Sequence, residues 1–286
     1  MVADNDYLIN KRAGKPLFVI KPKTGLQVLD LKEFTQYYDL FYFLIARYLQ
    51  IRYKQTILGG LWAIIQPLFL MLVFSLFFGY LAKVPSDGIP YPLFNFSALV
   101  IWTYFANAIT LSGFSLVENN MLLTKVYFPR LLIPLAPIIA SLLDFAIAFF
   151  VLLIMMLLYG IYPNISVLLV IPLLLIVILT ACGVGSLLAA LNAKYRDIRY
   201  VIPLLLQVWM FASPVVYPVS LVPEKYQMLY AINPMTGVIE GFRSILFGST
   251  QFPMTMVFIA AGVSVVLFFI GILYFKQTER YFADVV

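Results

Sequence analysis

No charged residue occurs between Val167 and Leu191. An apolar run of more than ~18 residues can cross the hydrocarbon layer of a bilayer as a helix. Lipid leaves no other choice, because a helix bonds its own backbone groups and a single extended segment does not. The pattern recurs along the chain. Mostly apolar runs at about 61–82, 93–117, 131–159, 167–191, 201–217 and 254–275 predict six transmembrane helices. The second run carries Asn95 and Asn107; the fifth is short and holds Pro203, Gln207 and Pro214. Composition agrees with a lipid-facing surface. Apolar residues make up 63% of the chain and charged residues 11%, against ~45–50% and ~25% in soluble domains. The predicted class is an all-α integral membrane protein.

Charge decides the orientation. Basic residues collect in cytoplasmic loops. With both termini in the cytoplasm, the 19 Lys and Arg leave only Lys83, Lys225 and Arg243 outside. The rest fall in the N-terminal segment, in the loop with Lys125 and Arg130, in the loop with Lys194, Arg196 and Arg199, and at Lys276 and Arg280. The formal charge of +6 is therefore read as an inner-face signal, with no nucleic acid as partner. The first ~30 residues are polar and lack an apolar h-region, so no cleavable signal peptide is expected.

Two segments lie outside the spans. From Leu31 to Lys54, Phe34, Tyr37, Phe41, Leu44, Tyr48 and Ile51 recur at steps of three and four. That spacing predicts an amphipathic helix in the cytoplasmic headgroup layer, with Asp30 and Glu33 as a capping pair at its start. The second segment, Val219 to Gln251, is too apolar for a solvated loop and too short for two more crossings. Asn233 followed by Pro234 predicts a helix start, and Gly248 a helix end. We read two short re-entrant half-helices between spans five and six.

The chemistry-bearing residues are few. There is no histidine, hence none of the commonest general base or nitrogen metal ligand. A single cysteine, Cys182, sits in an apolar run. No phosphate-binding G-x-x-x-x-G-K-[ST] loop exists in the chain, so ATP-driven work needs a separate subunit. Asp144 lies near the centre of the third span, where a charge costs ~2.5–3.5 kcal/mol. It is either a polar site on a transport path or subunit contact, or a structural bond between helices. Trp102, Tyr104, Phe105, Trp209 and Phe211 fall in spans that also carry polar residues. Aromatic faces stack on the C–H faces of sugars without a fixed hydrogen-bond register.

Four ordered strings resemble a known family: RYKQTILGGLWAIIQPL at 52–68, KVYFPRLLIPL at 125–135, RDIRYVIPLLLQVWMFASPVVYP at 196–218 and NPMTGVIEGFRSILFG at 233–248. Together they resemble the permease subunit of the ABC-2 polysaccharide export family, which exports O antigen, teichoic acid and capsule. The likeness runs from about Glu33 to the end of the chain and has no counterpart for residues 1–30. It implies a homodimer, two copies of a separate ABC ATPase that hold ATP and Mg, and a glycan on an undecaprenyl-pyrophosphate lipid. It also implies that the half-helices line an outer exit.

The expected organisation is a cytoplasmic segment at 1–30, an interface helix at 31–55 and the ABC-2 transmembrane domain at 56–286. Glu118, Asn119, Asn120, Lys125 and Arg130 would couple to the ATPase, with Arg196 and Asp197 as a second contact. Arg47, Arg52 and Lys54 are placed to pair with lipid pyrophosphate or with membrane headgroups. The aromatic residues named above would line the glycan path. Neither a catalytic residue nor a metal site is expected. The alternatives are an ABC-2 permease for teichoic acid, capsule, a small lipid or a drug, and an ion-coupled secondary carrier dependent on Asp144.

Overall fold

A computed structural model describes residues 8–9, 16–17, 36–54, 59–125, 128–248 and 251–279. The Asp30–Glu33 cap lies outside them. A two-residue antiparallel pairing, β1 (Leu8–Ile9) with β2 (Pro16–Leu17), precedes an otherwise helical chain.

The first helix, α1, runs from Tyr38 to Tyr53. Of its predicted apolar face, Leu44 is fully buried, Tyr37, Phe41 and Tyr48 are half-buried, and Ile51 is exposed. Five helical stretches are long and apolar enough to cross a membrane: Gly59–Leu81, Tyr91–Glu118, Leu132–Leu158, Ile165–Lys194 and Met254–Thr278. They match five of the six predicted spans. The remaining one, the fifth, expected at 201–217, contains helix only over Ile198–Phe211, and turns follow it.

The first stretch is irregular. It comprises a 3-10 turn at Gly59–Leu61, α2 (Trp62–Phe74) and a π-helical end at Ser75–Leu81. Pro67 lies inside α2 and removes one backbone donor. The second stretch, α3 (Tyr91–Glu118), is the axis of the fold and is buried along most of its length. After α4 (Asn120–Lys125), the third stretch divides into α5 (Leu132–Ala140) and α6 (Leu142–Leu158). The joint sits at Ser141, whose hydroxyl bonds back to the Pro137 carbonyl at 2.8 Å. The fourth stretch ends in α7 (Val170–Lys194). Then come α8 (Ile198–Phe211), α9 (Glu224–Tyr230), α10 (Pro234–Phe247) and α11 (Met254–Thr278).

Without a hydrophobic force between helices in lipid, small residues decide which of them approach closely. A carbon added to Gly271 of α11 would stand 1.9 Å from the Gly183 carbonyl oxygen of α7. The two backbones touch there, and Thr180 donates to Ser264 across the same pair at 2.7 Å. Helices α3 and α7 meet where Gly185 faces the Ser112 hydroxyl. Asn192 donates to the Gly113 carbonyl at 2.9 Å nearby.

At the end of the bundle holding Tyr91, α10 is locked in place. Its cap forms as the sequence predicts. Asn233 Oδ1 accepts from the Met235 amide, Pro234 opens the helix and Gly248 closes it at φ 61°. Asn233 also accepts from Trp209 Nε1 and donates to the Ala212 carbonyl, both at 2.9 Å. Arg243, only 2% exposed, donates to the carbonyls of Phe94 and Val215 and pairs with Glu240 at 3.0 Å. Its guanidinium lies 3.5 Å over the Phe94 ring.

Candidate functional site at the basic end

The opposite end of the bundle gathers α1, the end of α3, α4 and the ends of α7 and α11. An apolar cluster seats α1 there: Leu44 is buried in a group with Leu116, Leu123, Leu131, Leu132 and Ile133. Burial of a leucine side chain contributes ~1.5–3 kcal/mol in a soluble core. The polar contacts then set where α1 lies.

The first contact is at Asn119, the residue that ends α3. Arg47 Nη1 donates to Asn119 Oδ1 at 2.8 Å. Asn119 Nδ2 donates to the Tyr48 hydroxyl at 3.1 Å and to the Ser115 carbonyl at 2.7 Å. Ser115 carries one of the last-turn carbonyls that a helix end leaves without a partner. Burial pushes the Tyr48 hydroxyl up to about 12, so it remains protonated. The second contact is at Asp144. Arg52 Nη1 forms an ion pair with Asp144 Oδ2, and the Tyr53 hydroxyl donates to Oδ1. Burial and the adjacent Asp144 carboxylate both raise the Tyr53 hydroxyl, which stays a donor. The cost of a carboxylate inside an apolar span is met by a facing guanidinium, which is how such charges are generally tolerated.

The loop between α3 and α5 is anchored at both ends. Asn119 holds one end. At the other, Arg130 Nη1 donates to the Glu279 carbonyl at 2.6 Å, and Lys276 pairs with Glu279 at 3.1 Å. Between these anchors, α4 buries Leu123 and exposes Met121. Glu118 is exposed, Asn120 half-buried, and Lys125 ends the helix. The α7–α8 turn lies exposed at Lys194, Tyr195, Arg196, Asp197 and Arg199, with the Lys194 ammonium 5.1 Å over the Tyr195 ring.

The sequence-predicted residues are not all where their assigned roles require. Glu118, Asn120, Arg196 and Asp197 reach the surface, whereas Asn119 is 6% exposed and faces inward. Of Arg47, Arg52 and Lys54, the two arginines turn toward the bundle and only Lys54 is exposed. The aromatic set divides more sharply, and the reading of it as a lining needs correction. Trp102, Tyr104 and Phe105 are buried inside the chain itself. Phe105 meets Trp209 edge to face at 5.0 Å, and Tyr104 packs on Phe145 at 5.8 Å. These rings are consumed by packing; Phe211, 48% exposed, is the one that faces outward.

Three features escaped sequence reasoning: the tyrosines beside Arg47 and Arg52, the inward turn of Asn119, and the burial of Arg243. A signal existed for the first. Ala46–Tyr48 and Ile51–Tyr53 repeat an Arg–Tyr pair five residues apart. Among the described residues, no group of three or more His, Cys, Asp or Glu side chains gathers to hold a metal ion.

Fold and site together define a multi-pass membrane protein with a short helix presented at its basic end. The ABC-2 type transporter family matches residues 39–247, and the chain belongs to that family. The O-antigen export system permease protein RfbA of Myxococcus xanthus is 30% identical over 257 residues, covering 89% of this chain and 98% of that protein. An O-antigen export system permease protein RfbA of Klebsiella pneumoniae is 27% identical over 250 residues, covering 87% and 95%. The polysialic acid transport protein KpsM of Escherichia coli is 27% identical over 244 residues, covering 83% and 92%.

Proposed function

We propose that this chain is the permease subunit of an ATP-driven exporter that carries an O-antigen-type polysaccharide, linked to undecaprenyl pyrophosphate, across the bacterial cytoplasmic membrane. The observation that carries the reading is α4, a short helix pinned at Asn119 and Arg130 with Met121 turned outward. A segment so held can receive a push and pass it on without folding away. Relatives over nearly the whole length that bear polysaccharide-export names support the substrate class.

On this reading the chain works as a homodimer among membrane lipids, with both termini cytoplasmic and six crossings, α8 supplying the fifth. Two copies of a separate ABC ATPase dock on Glu118, Asn120, the α4 helix and the Arg196–Asp197 turn. That partner holds the ATP and Mg. Of Arg47, Arg52 and Lys54, Lys54 is the most open to lipid pyrophosphate, and Arg52, about a third exposed, stands beside it. Helices α9 and α10 form the re-entrant pair at the outer exit. An ion-coupled carrier is favoured less, because Arg52 already neutralises the carboxylate such a carrier would load.

The test is reconstitution in proteoliposomes with the ATPase encoded beside this chain. Lipid-linked glycan should stimulate ATP hydrolysis and should cross the bilayer only with ATP present. Full export by the permease alone, with no nucleotide, overturns the reading. ATP-dependent movement of small lipids but never of glycan overturns the substrate assignment.

A further inference from the structure

Two Arg–Tyr pairs on α1 each close on one short side chain of the bundle. Arg47 and Tyr48 grip Asn119; Arg52 and Tyr53 grip Asp144. The pairs are five residues apart, which places them ~7.5 Å along the helix axis and ~140° around it from one another. One polar contact would let α1 swivel. Two contacts at different heights and azimuths fix both its position and its rotation.

The two receiving residues lie on different elements. Asn119 joins three helices at once. Its side chain bonds the last turn of α3, its carbonyl accepts the Leu122 amide of α4 at 2.9 Å, and its amide group faces α1. Asp144 belongs to α6. Beyond the second clasp, the Tyr53 ring lies 3.6 Å from where a carbon on Gly60 would stand, at the start of the first crossing helix. A shift of α4 therefore reaches Asn119, then Arg47, and through α1 arrives where the first span begins.

We infer that α1 is a double-clasped transmission rod. The pairs Arg47–Tyr48 on Asn119 and Arg52–Tyr53 on Asp144 convert displacement of α4 into displacement of the first span. The four α1 residues, Asn119 and Asp144 are positioning residues. The inference rests on the reading of α4 as the ATPase docking helix, and it reassigns Arg47 and Arg52 from holding substrate to transmitting force.

The test uses the full reconstituted complex of permease and ATPase carrying Asn119→Ala, Asp144→Asn or both. Complex assembly, ATP hydrolysis and export of lipid-linked glycan are measured on the same samples. Hydrolysis by the partner should persist while export falls about tenfold, within the usual range of site-to-site coupling. ATP consumed per glycan should rise by the same factor. Clasps acting in series predict that the double variant is no worse than the worse single one. Where Asp144→Asn lowers yield, Tyr53→Phe, which deletes one hydroxyl, tests the second clasp. Nucleotide-dependent export at the wild-type ATP ratio in both single variants overturns the clasp mechanism alone. So does a parallel fall in assembly, hydrolysis and export, which is the mark of a merely structural role. Nucleotide-independent export by the wild-type complex overturns the ATP-driven reading and the clasp with it.

Discussion

The spans of this protein are of two kinds. Helices α3, α7, α11 and α10 form a closely packed body, in which the backbones of α7 and α10 touch that of α11. Gly183 meets Gly271, and Gly237 of α10 stands where an added carbon would lie 2.4 Å from the Met256 carbonyl of α11. Arg243 ties α10 to α3. The first span and α8 are different. Between Gly59 and Leu81 only Pro67, Met71 and Phe74 are buried, and in α8 only Ile202 and Leu206. Phe69, Leu72, Phe77 and Tyr80 on one, and Leu204 and Val208 on the other, are exposed. In the first span irregularity goes with loose packing: Pro67 and the π-helical turns of Ser75–Leu81 both fall there. The break at Ser141 is the exception, because α5 before it is buried around its internal Pro137. A body that must stay rigid is welded by small residues, and the elements beside it keep their apolar surface for lipid or for a second subunit.

The sharpest way to break this contrast is at the weld. Gly271→Leu places a side chain where the Gly183 carbonyl already stands, and overpacking of that kind costs about 3 kcal/mol or more. Folded protein should disappear from size-exclusion profiles. Gly262→Leu, on the same helix with nothing within 4 Å, should behave as wild type. Equal behaviour of the two would end the idea of a weld. Next in size is Arg243→Met. It leaves the Phe94 and Val215 carbonyls and the Glu240 carboxylate without their donor, a loss of about 3–5 kcal/mol for a broken buried pair. The thermal midpoint should fall strongly, and Arg243→Lys, with one point charge for a planar fork, should recover only part of it.

How much of this was legible in sequence depends on how local each cause is. The long spans could be read because membrane crossing is a property of a single continuous run. The ends of α10 could be read because Asn233, Pro234 and Gly248 act within one turn of themselves. The Arg52–Asp144 pair could not, since its members are far apart in the chain and no local pattern joins them. Each alone suggested a different role, a pyrophosphate ligand and an intramembrane acid. Direction was equally hidden. Trp102 and Phe105 looked like a lining because they are aromatic and lie near polar residues. In a helix buried over most of its surface, such as α3, periodicity does not say which neighbour a ring will meet. Arg243 was counted among outer-loop charges because charge alone does not announce burial.

The two smaller predictions separate packing from lining. Phe105→Leu removes an edge-to-face contact with Trp209 at nearly constant volume and should cost about 1 kcal/mol. Export per folded complex should not change, because the ring faces the interior; a selective loss of export at normal stability would restore Phe105 to the glycan path.

The smallest expected effect lies on the loosely held side. Phe77→Ala and Leu204→Ala trim side chains that are 54% and 61% exposed. Neither leaves a cavity in the chain or an unpaired polar group, so each should stay within ~0.5 kcal/mol of wild type. Thermal unfolding of the dissociated chain in detergent checks this. The informative measurement is self-association in lipid. If these faces pair with a second copy, the same substitutions that leave the single chain untouched should weaken the dimer, and the pair together should weaken it more. A fall in monomer stability as large as that of Phe105→Leu would mean that the first span and α8 are held as firmly as the welded helices, and the division of the molecule into rigid body and loosely held spans would go with it.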